Sequence, residues 1–459
     1  MPAPTRRKSK VQASIPSATV VLNNINGSNS NTGLDKSADK PATVLNDGIG
    51  GRIAAVSPEH HTTAAAATSN KPTLNPNPTE TLISPTEATR ILNQRTLDVA
   101  TPETSRISKL QVASLPAHEE NEDAFAYDFL LDAQSIANPN DEEHHWSFFA
   151  IYDGHYGVAT SQYLKQVLIK HVYNSLLTLY TLHSPSQPPS DIIKSTISTA
   201  FITLDSSIIT TPSLSKIASQ GSCALLSFFD ARNNKLYTAC TGDSRAVLGK
   251  RIGSPTNTRW LAKPLSIDQN FASSPDEVKR VEGEHPAERG IVRNHRLMGD
   301  LAVSRAFGNK KFKVREEGDV KKVRSGKGYD VLRSPPYITA RPEVSEYADA
   351  KVGDFVILGT DGLWDFLSSE DAVALVGRWT DEHLPSKKLG EGRRSTRLTP
   401  SQMEMFVFEA GDENVGVHLI RNALGGVREG RLLFTLSLPS GKNAAKKHRD
   451  DMTVVVAFF

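Results

Sequence analysis

The chain has 459 residues, of which 23% are charged and 38% hydrophobic, with a formal net charge of +2. That length allows two or three average domains or one large domain with tails, and so balanced a charge gives no general reason to expect nucleic acid or a membrane as partner. Cys223 and Cys240 are too few for a disulfide framework, and no apolar run reaches the roughly 18 residues that span a bilayer, so a soluble protein without an integral membrane segment is expected.

The opening MPAPTRRKSK is basic, and no acidic residue precedes Asp35. Arg-rich, Ser-rich and acid-poor composition describes an organelle transit peptide and equally an ordinary basic tail. Residues 1–80 are rich in Ser, Thr, Asn, Ala and Pro, too poor in apolar surface to offset the entropy of ordering, and are expected to be disordered. The first structured signal is SPTEATRIL. Ser84 suits an N-cap, Pro85 the first helical position, and Glu87 the third position of a capping box.

From there strands alternate with long helices. SFFAIYD reads as a buried strand. ATSQYLKQVLIKHVYNSLLTLY follows, with Tyr163, Leu164, Val167, Leu168 and Val172 at helical spacing. After HSPSQPPSD a second helix carries Ile192, Ile193, Ile197, Phe201, Leu204 and Ile208 on one face. SCALLSFFD, KLYTACTGD and RAVLGK read as strands, then DFVILGTDG as a strand ending in a turn, SSEDAVALVGRW as a serine-capped helix, and MTVVVAFF as a last strand. Two successive helices followed by strands on short turns predict an α+β layered fold rather than a βαβ repeat. Residues 313–330 and 380–402 read as surface inserts. The four tryptophans and both cysteines read as core.

Acidic residues recur where these strands begin or end: Glu122 and Asp123 in EENEDAF, Asp153 in YDGH, Asp243 in TGDS, Asp361 in GTDG, and Asp450 and Asp451 in RDDM. Any one alone is ordinary turn chemistry, since Asp and Gly suit turn backbones. Several together, in a chain with no HxH or CxxC for zinc, match the oxygen ligands that Mg²⁺ or Mn²⁺ take. Two such ions clamp a phosphate and activate a water for in-line attack. His155, two residues after Asp153, is near enough to protonate a leaving oxygen.

In order and approximate spacing, EDAF, FFAIYDGHYG, GSCALLSFF, TGDSRAVLG, LAVSRAFGN, VILGTDGLWDFLS and RDDMTVVV resemble the sequence blocks of the metal-dependent type 2C Ser/Thr protein phosphatases. The resemblance covers roughly residues 81–459 and implies a four-layer α-β-β-α sandwich, with two central antiparallel sheets flanked by helix pairs. It implies that Asp153 bridges two Mg²⁺ or Mn²⁺ ions, with the Gly154 carbonyl on one and Asp361 and Asp450 on the other. Glu122 and Asp123 would reach the ions through water, Asp243 would hold a looser third ion, and His155 would act as general acid. The implied reaction is hydrolysis of phosphoserine and phosphothreonine by a metal-activated water, without a phosphoenzyme.

SPTEATRILN, EHPAERGIVRNHRLMGDLAVSRAFGNKKFK and the closing RLLFTLSLPSGKNAAKKHRDDMTVVV are similar to the pyruvate dehydrogenase phosphatase branch of that family. That implies the pyruvate dehydrogenase complex as partner and the mitochondrial matrix as location. A cytosolic or nuclear phosphatase with another substrate, a catalytically dead relative, and a two-metal hydrolase of small phosphates stay open. Two positions depart from the family pattern. His118 stands where many members carry a phosphate-binding Arg; the dehydrogenase branch lacks that Arg too, and the change leaves phosphate to the metals and to His118. Asn309 stands where SRAFG is usually followed by Asp, keeping the hydrogen-bonding shape and losing the charge.

Overall fold

Hydrophobic alternation along the strands accounts for the layering in this computed structural model. It describes residues 82–459 apart from 141, 255–256, 316–321, 326–327, 385–395, 397, 409–410 and 440–444. The expectations for residues 1–80, and for much of the inserts at 313–330 and 380–402, lie outside the described residues. All described residues fall in one unit, Pro72–Phe459.

Two antiparallel sheets form the centre. The six-stranded sheet runs Thr96–Val99, Lys109–Leu115, Met452–Phe458, Phe355–Gly359, Arg245–Ser254 and Asn257–Pro264 in spatial order. The five-stranded sheet runs Glu343–Ala348, Lys235–Thr241, Ala224–Asp230, His145–Tyr152 and Ala124–Leu131. Side chains of successive strand residues point to opposite faces, so each strand feeds two cores. Phe149, Ile151, Leu225 and Phe229 meet Val112, Val356, Leu358 and Val455 between the sheets. From the same strands, Trp146, Phe148, Ala150 and Tyr152 face the helices Ala159–His183 and Ser190–Thr210. On the far side, Phe355, Ile357, Val454 and Val456 face Ser369–His383 and Val415–Leu424. Three cores between four layers give the α-β-β-α sandwich. Truncating a fully buried Phe148 to Ala would cost about 3–5 kcal/mol.

Local signals hold with specific exceptions. Ser84 caps Pro85–Leu92 by accepting the Glu87 N–H at 3.1 Å. The Glu87 carboxylate turns to Arg90 at 2.5 and 2.7 Å instead of completing a capping box. Ser368 caps Ser369–His383 as expected. Ile192 is exposed, whereas Ile193, Ile197, Phe201, Leu204 and Ile208 are buried. Among the described residues Ser190–Thr210 is the one helix long and apolar enough to cross a membrane, but that apolar face is covered by the five-stranded sheet and its neighbour helix. Trp146, Trp364 and Trp379 are buried, Trp260 partly so, and both cysteines are free and buried.

Candidate metal and active site

Antiparallel register gathers the acids. Ala124 pairs with Tyr152, so Asp123 before one strand and Asp153 after the other emerge side by side. Ala224 pairs with Thr241, bringing the Gly242-Asp243 turn beside Cys223. Gly359 pairs with Val454, so Thr360-Asp361 leaves the six-stranded sheet where Asp450-Asp451 enters it. Five strand ends, drawn from both sheets, thus open on one edge of the sandwich.

Carboxylate oxygens of Asp153, Asp243 and Asp361 lie within 4.8 Å of one another, with Asp243 buried and the other two half-buried. Among the described residues none of these three, nor Asp123, makes an ion pair with Lys or Arg. Loss of water raises Asp153 well above the usual carboxylate range, and repulsion from Asp361, Asp123, Asp243 and Asp450 adds to it. Burial likewise raises Asp361, with Asp243 and Asp450 adding. It raises Asp123, with Asp451 adding, and it brings Asp243 to about 6 against a hydrogen bond from Asn270. Packed acids without counter-charge are what a cation site requires, and all-oxygen donors fit hard divalent ions such as Mg²⁺ or Mn²⁺.

The surrounding chain fixes these groups. The Thr360 hydroxyl donates to Asp123 at 2.9 Å and accepts the Thr453 N–H at 3.0 Å. Asn270 Nδ2 donates to Asp243 Oδ2 at 3.2 Å, and Cys223 Sγ stands 3.4 Å from Asp243 Oδ1. Gly154 packs on the Glu122 carbonyl, where any Cβ would collide, and Ser161 Oγ donates to that carbonyl at 2.6 Å. Gly362 is pressed as closely on the Asp451 carbonyl.

At the rim, Asp450 is 43% exposed and Asp451 buried. The tandem acids have separate work. Asp450 is within Coulomb reach of Asp153 and Asp361. Asp451 clamps the loop before Ala124–Leu131, accepting N–H groups of Ala117, His118 (3.1 Å) and Glu122 (2.8 Å) and His118 Nδ1 at 2.9 Å. Sequence reading passed over Asp451 as a site residue, and its place beside Asp450 was the available signal. Glu122 is 18% exposed, 3.8 Å from His118 Nε2, and raised by burial with His118 and Lys446 opposing. Both ring nitrogens of His118 are engaged, Nε2 standing 2.7 Å from Lys446 Nζ.

His155 lies on a short arm in which Gly154–His155 pairs with Gly221–Ser222, itself paired with Phe307–Gly308. Its Nε2 is 2.8 Å from Asn309 Oδ1. Asn309 is buried with φ 51°, a conformation Asn tolerates better than most residues. The variant position of the SRAFG block therefore touches the candidate acid directly. Burial lowers His155 to about 4, Asn309 opposing and Lys311 and Lys313 adding.

A model of the protein phosphatase 2C family matches residues 117–396. The chain belongs to that family. A protein phosphatase 2C homologue of Schizosaccharomyces pombe is 36% identical over 367 residues, covering 73% of this chain and 80% of that protein. The mitochondrial pyruvate dehydrogenase phosphatase 1 of Saccharomyces cerevisiae is 32% identical, covering 77% of this chain and 69% of that one. Its Bos taurus counterpart is 35% identical over 53% of this chain and 48% of its own. Among solved structures, a Toxoplasma gondii serine-threonine phosphatase 2C aligns with 79% of this chain and 99% of its own, at 16% identity and a TM-score of 0.47. Membership in the protein phosphatase 2C family agrees with the resemblance read from the seven sequence blocks.

Proposed function

We propose that this chain is a divalent-cation-dependent phosphatase of phosphoserine and phosphothreonine in proteins. The observation that carries the reading is the meeting of Asp153, Asp243 and Asp361 within 4.8 Å with, among the described residues, no cationic side chain paired to them. In this reading Asp153, Gly154, Asp361 and Asp450 hold two ions, Glu122 and Asp123 order the water around them, and Asp243 faces a third. Bound Mg²⁺ or Mn²⁺ would supply an activated water and neutralise phosphate charge.

The remaining work belongs to the chain. Thr360 and Asp451 fix the strand ends so that the carboxylates are preorganised and need not move during reaction. His155 is uncharged in the free site at neutral pH, because burial disfavours the imidazolium. A dianionic ester beside the ring would bring the negative charge that favours protonation, and the ring could then hand its proton to the departing seryl or threonyl oxygen. Asn309 would hold the ring in that orientation.

The substrate reading follows the relatives. Similarity to the yeast and bovine mitochondrial pyruvate dehydrogenase phosphatases favours the phosphorylated pyruvate dehydrogenase complex as partner and the mitochondrion as location. The fission-yeast relative, matched over more of its length and named only as a phosphatase 2C homologue, favours the alternative of a general phosphoprotein substrate in the cytoplasm. Purified protein with Mn²⁺ or Mg²⁺ should release phosphate from a phosphothreonine peptide, stop with EDTA, and turn over the phosphorylated dehydrogenase complex faster than the peptide. Activity that survives EDTA, or none with either ion, would refute the phosphatase reading. Equal turnover of the complex and the peptide would refute the dehydrogenase assignment alone.

A further inference from the structure

The contacts of His118 fix which of its nitrogens carries hydrogen. Nδ1 lies 2.9 Å from Asp451 Oδ2, an acceptor with no proton to give, so Nδ1 is the donor there. Nε2 lies 2.7 Å from Lys446 Nζ, an ammonium that can only donate. One tautomer satisfies both contacts: Nδ1–H toward Asp451 and a bare Nε2 receiving Lys446. The imidazole therefore transmits a link from a buried carboxylate to a lysine on the turn Ala445–Lys447.

That lysine stands at the mouth of the acidic edge. The same ring is 3.8 Å from Glu122 Oε2 and 3.9 Å from Asp450 Oδ1, so the ammonium is one imidazole away from both. Lys446 is exposed, and among the described residues it makes no ion pair of its own. One of its three N–H bonds is taken by His118, leaving two directed elsewhere. Of the other cations of this segment, Lys447 is exposed, and Arg449 is buried and donates Nη1 to the Pro116 carbonyl at 2.5 Å. A phosphoester entering an edge lined with carboxylates meets repulsion from every acid not neutralised by a bound ion. A flexible ammonium held at the rim is the compact charge suited to a phosphate oxygen.

We propose that Lys446 binds the substrate phosphate, positioned for it by His118 and, through His118, by Asp451. This rests on the phosphatase reading above and names the side chain that contacts the phosphate beyond the ions. Lys446 would grip ground state and transition state alike, so its loss should appear in KM rather than in kcat.

The test uses the full chain with saturating Mn²⁺, comparing wild type with Lys446→Met, Lys446→Arg and Lys447→Met. Measured are kcat and KM on a phosphothreonine peptide, the inhibition constant of inorganic phosphate, and calorimetric Mn²⁺ binding. Lys446→Met should raise KM and the phosphate inhibition constant about tenfold each, with kcat within about twofold. Mn²⁺ affinity should stay unchanged, Lys446→Arg should retain most phosphate affinity, and the neighbouring Lys447→Met should behave as wild type. Unchanged KM and phosphate inhibition in an active Lys446→Met protein would overturn the proposal and leave the phosphatase reading standing. So would a loss confined to kcat or to Mn²⁺ binding. A wild type that releases no phosphate would instead sink the phosphatase reading, and this proposal with it.

Discussion

Glu277 and Asp153 are both carboxylates drawn away from bulk water, and the chain treats them in opposite ways. Glu277 is flanked by its own counter-charges. Arg305 Nη2 approaches at 2.7 Å and Arg280 Nη2 at 2.7 Å, and the Ser304 hydroxyl donates at 2.5 Å. Burial pushes Glu277 up, yet these partners outweigh it and hold the group at about 2. Asp153 has no ion-pair partner among the described residues, and burial and repulsion from Asp361, Asp123, Asp243 and Asp450 act in the same direction. A carboxylate satisfied from within is a structural joint. A group of carboxylates left unbalanced is a place where the protein expects charge from outside.

The sharpest way to break that contrast is Asp153→Asn. In the proposed reading it would remove one of the carboxylates that hold the ions, and phosphopeptide turnover should fall on the order of 10³-fold while the circular dichroism melt stays cooperative. Retained turnover would return Asp153 to the same structural class as Glu277. The converse substitution, Arg305→Met, should leave phosphate release per folded molecule nearly unchanged. It should destabilise the protein by about 3 kcal/mol in urea unfolding, because a buried charge loses its partner.

The two regions should also answer pH with opposite sign. In metal-free protein Asp123, Asp153, Asp243 and Asp361 have folded-state pKa values above their unfolded ones. The folded chain then holds more protons, and the stability this gives is lost as pH rises through the folded values, about 6 for Asp243. Melting temperature in EDTA should therefore fall between about pH 5 and 7, and Mn²⁺ should flatten that slope. Glu277, depressed from 4.5 to about 2, contributes stability above its unfolded pKa and loses it as pH falls from 4.5 through 2. Glu277→Gln should remove part of the acid-side loss and leave the neutral-side slope alone.

The smallest expected effect is at Asn309. Asn309→Asp places a negative charge 2.8 Å from the His155 ring and should raise its pKa. The corresponding limb of the kcat/KM profile should then move upward by about one pH unit. A profile that does not shift would remove Asn309 from any influence over the acid.

Much of this was legible in the sequence because it is periodic. Alternation in WSFFAIY and MTVVVAF fixed which side chains face which core, and the acids bordering those strands could be expected to share an edge once the strands paired. Neighbours across the fold carried weaker signals. Glu87 had the spacing of a capping box, but Arg90 one turn on offered a stronger charged contact. Composition and spacing in RDDM do not distinguish Asp450 from Asp451, and the family resemblance alone singles out Asp450; the turn into Met452–Phe458 exposes one and buries the other. His118 lies 328 positions before Lys446, so no local pattern could announce that they meet.

Calorimetric titration of Mn²⁺ into EDTA-stripped protein tests most directly whether the unbalanced acids take charge from outside. Wild type should show saturable binding of about two ions, with Asp153→Asn losing most of it and Arg305→Met binding as wild type. No saturable heat from folded wild-type protein, or the same isotherm in Asp153→Asn, would contradict a cation site at this edge.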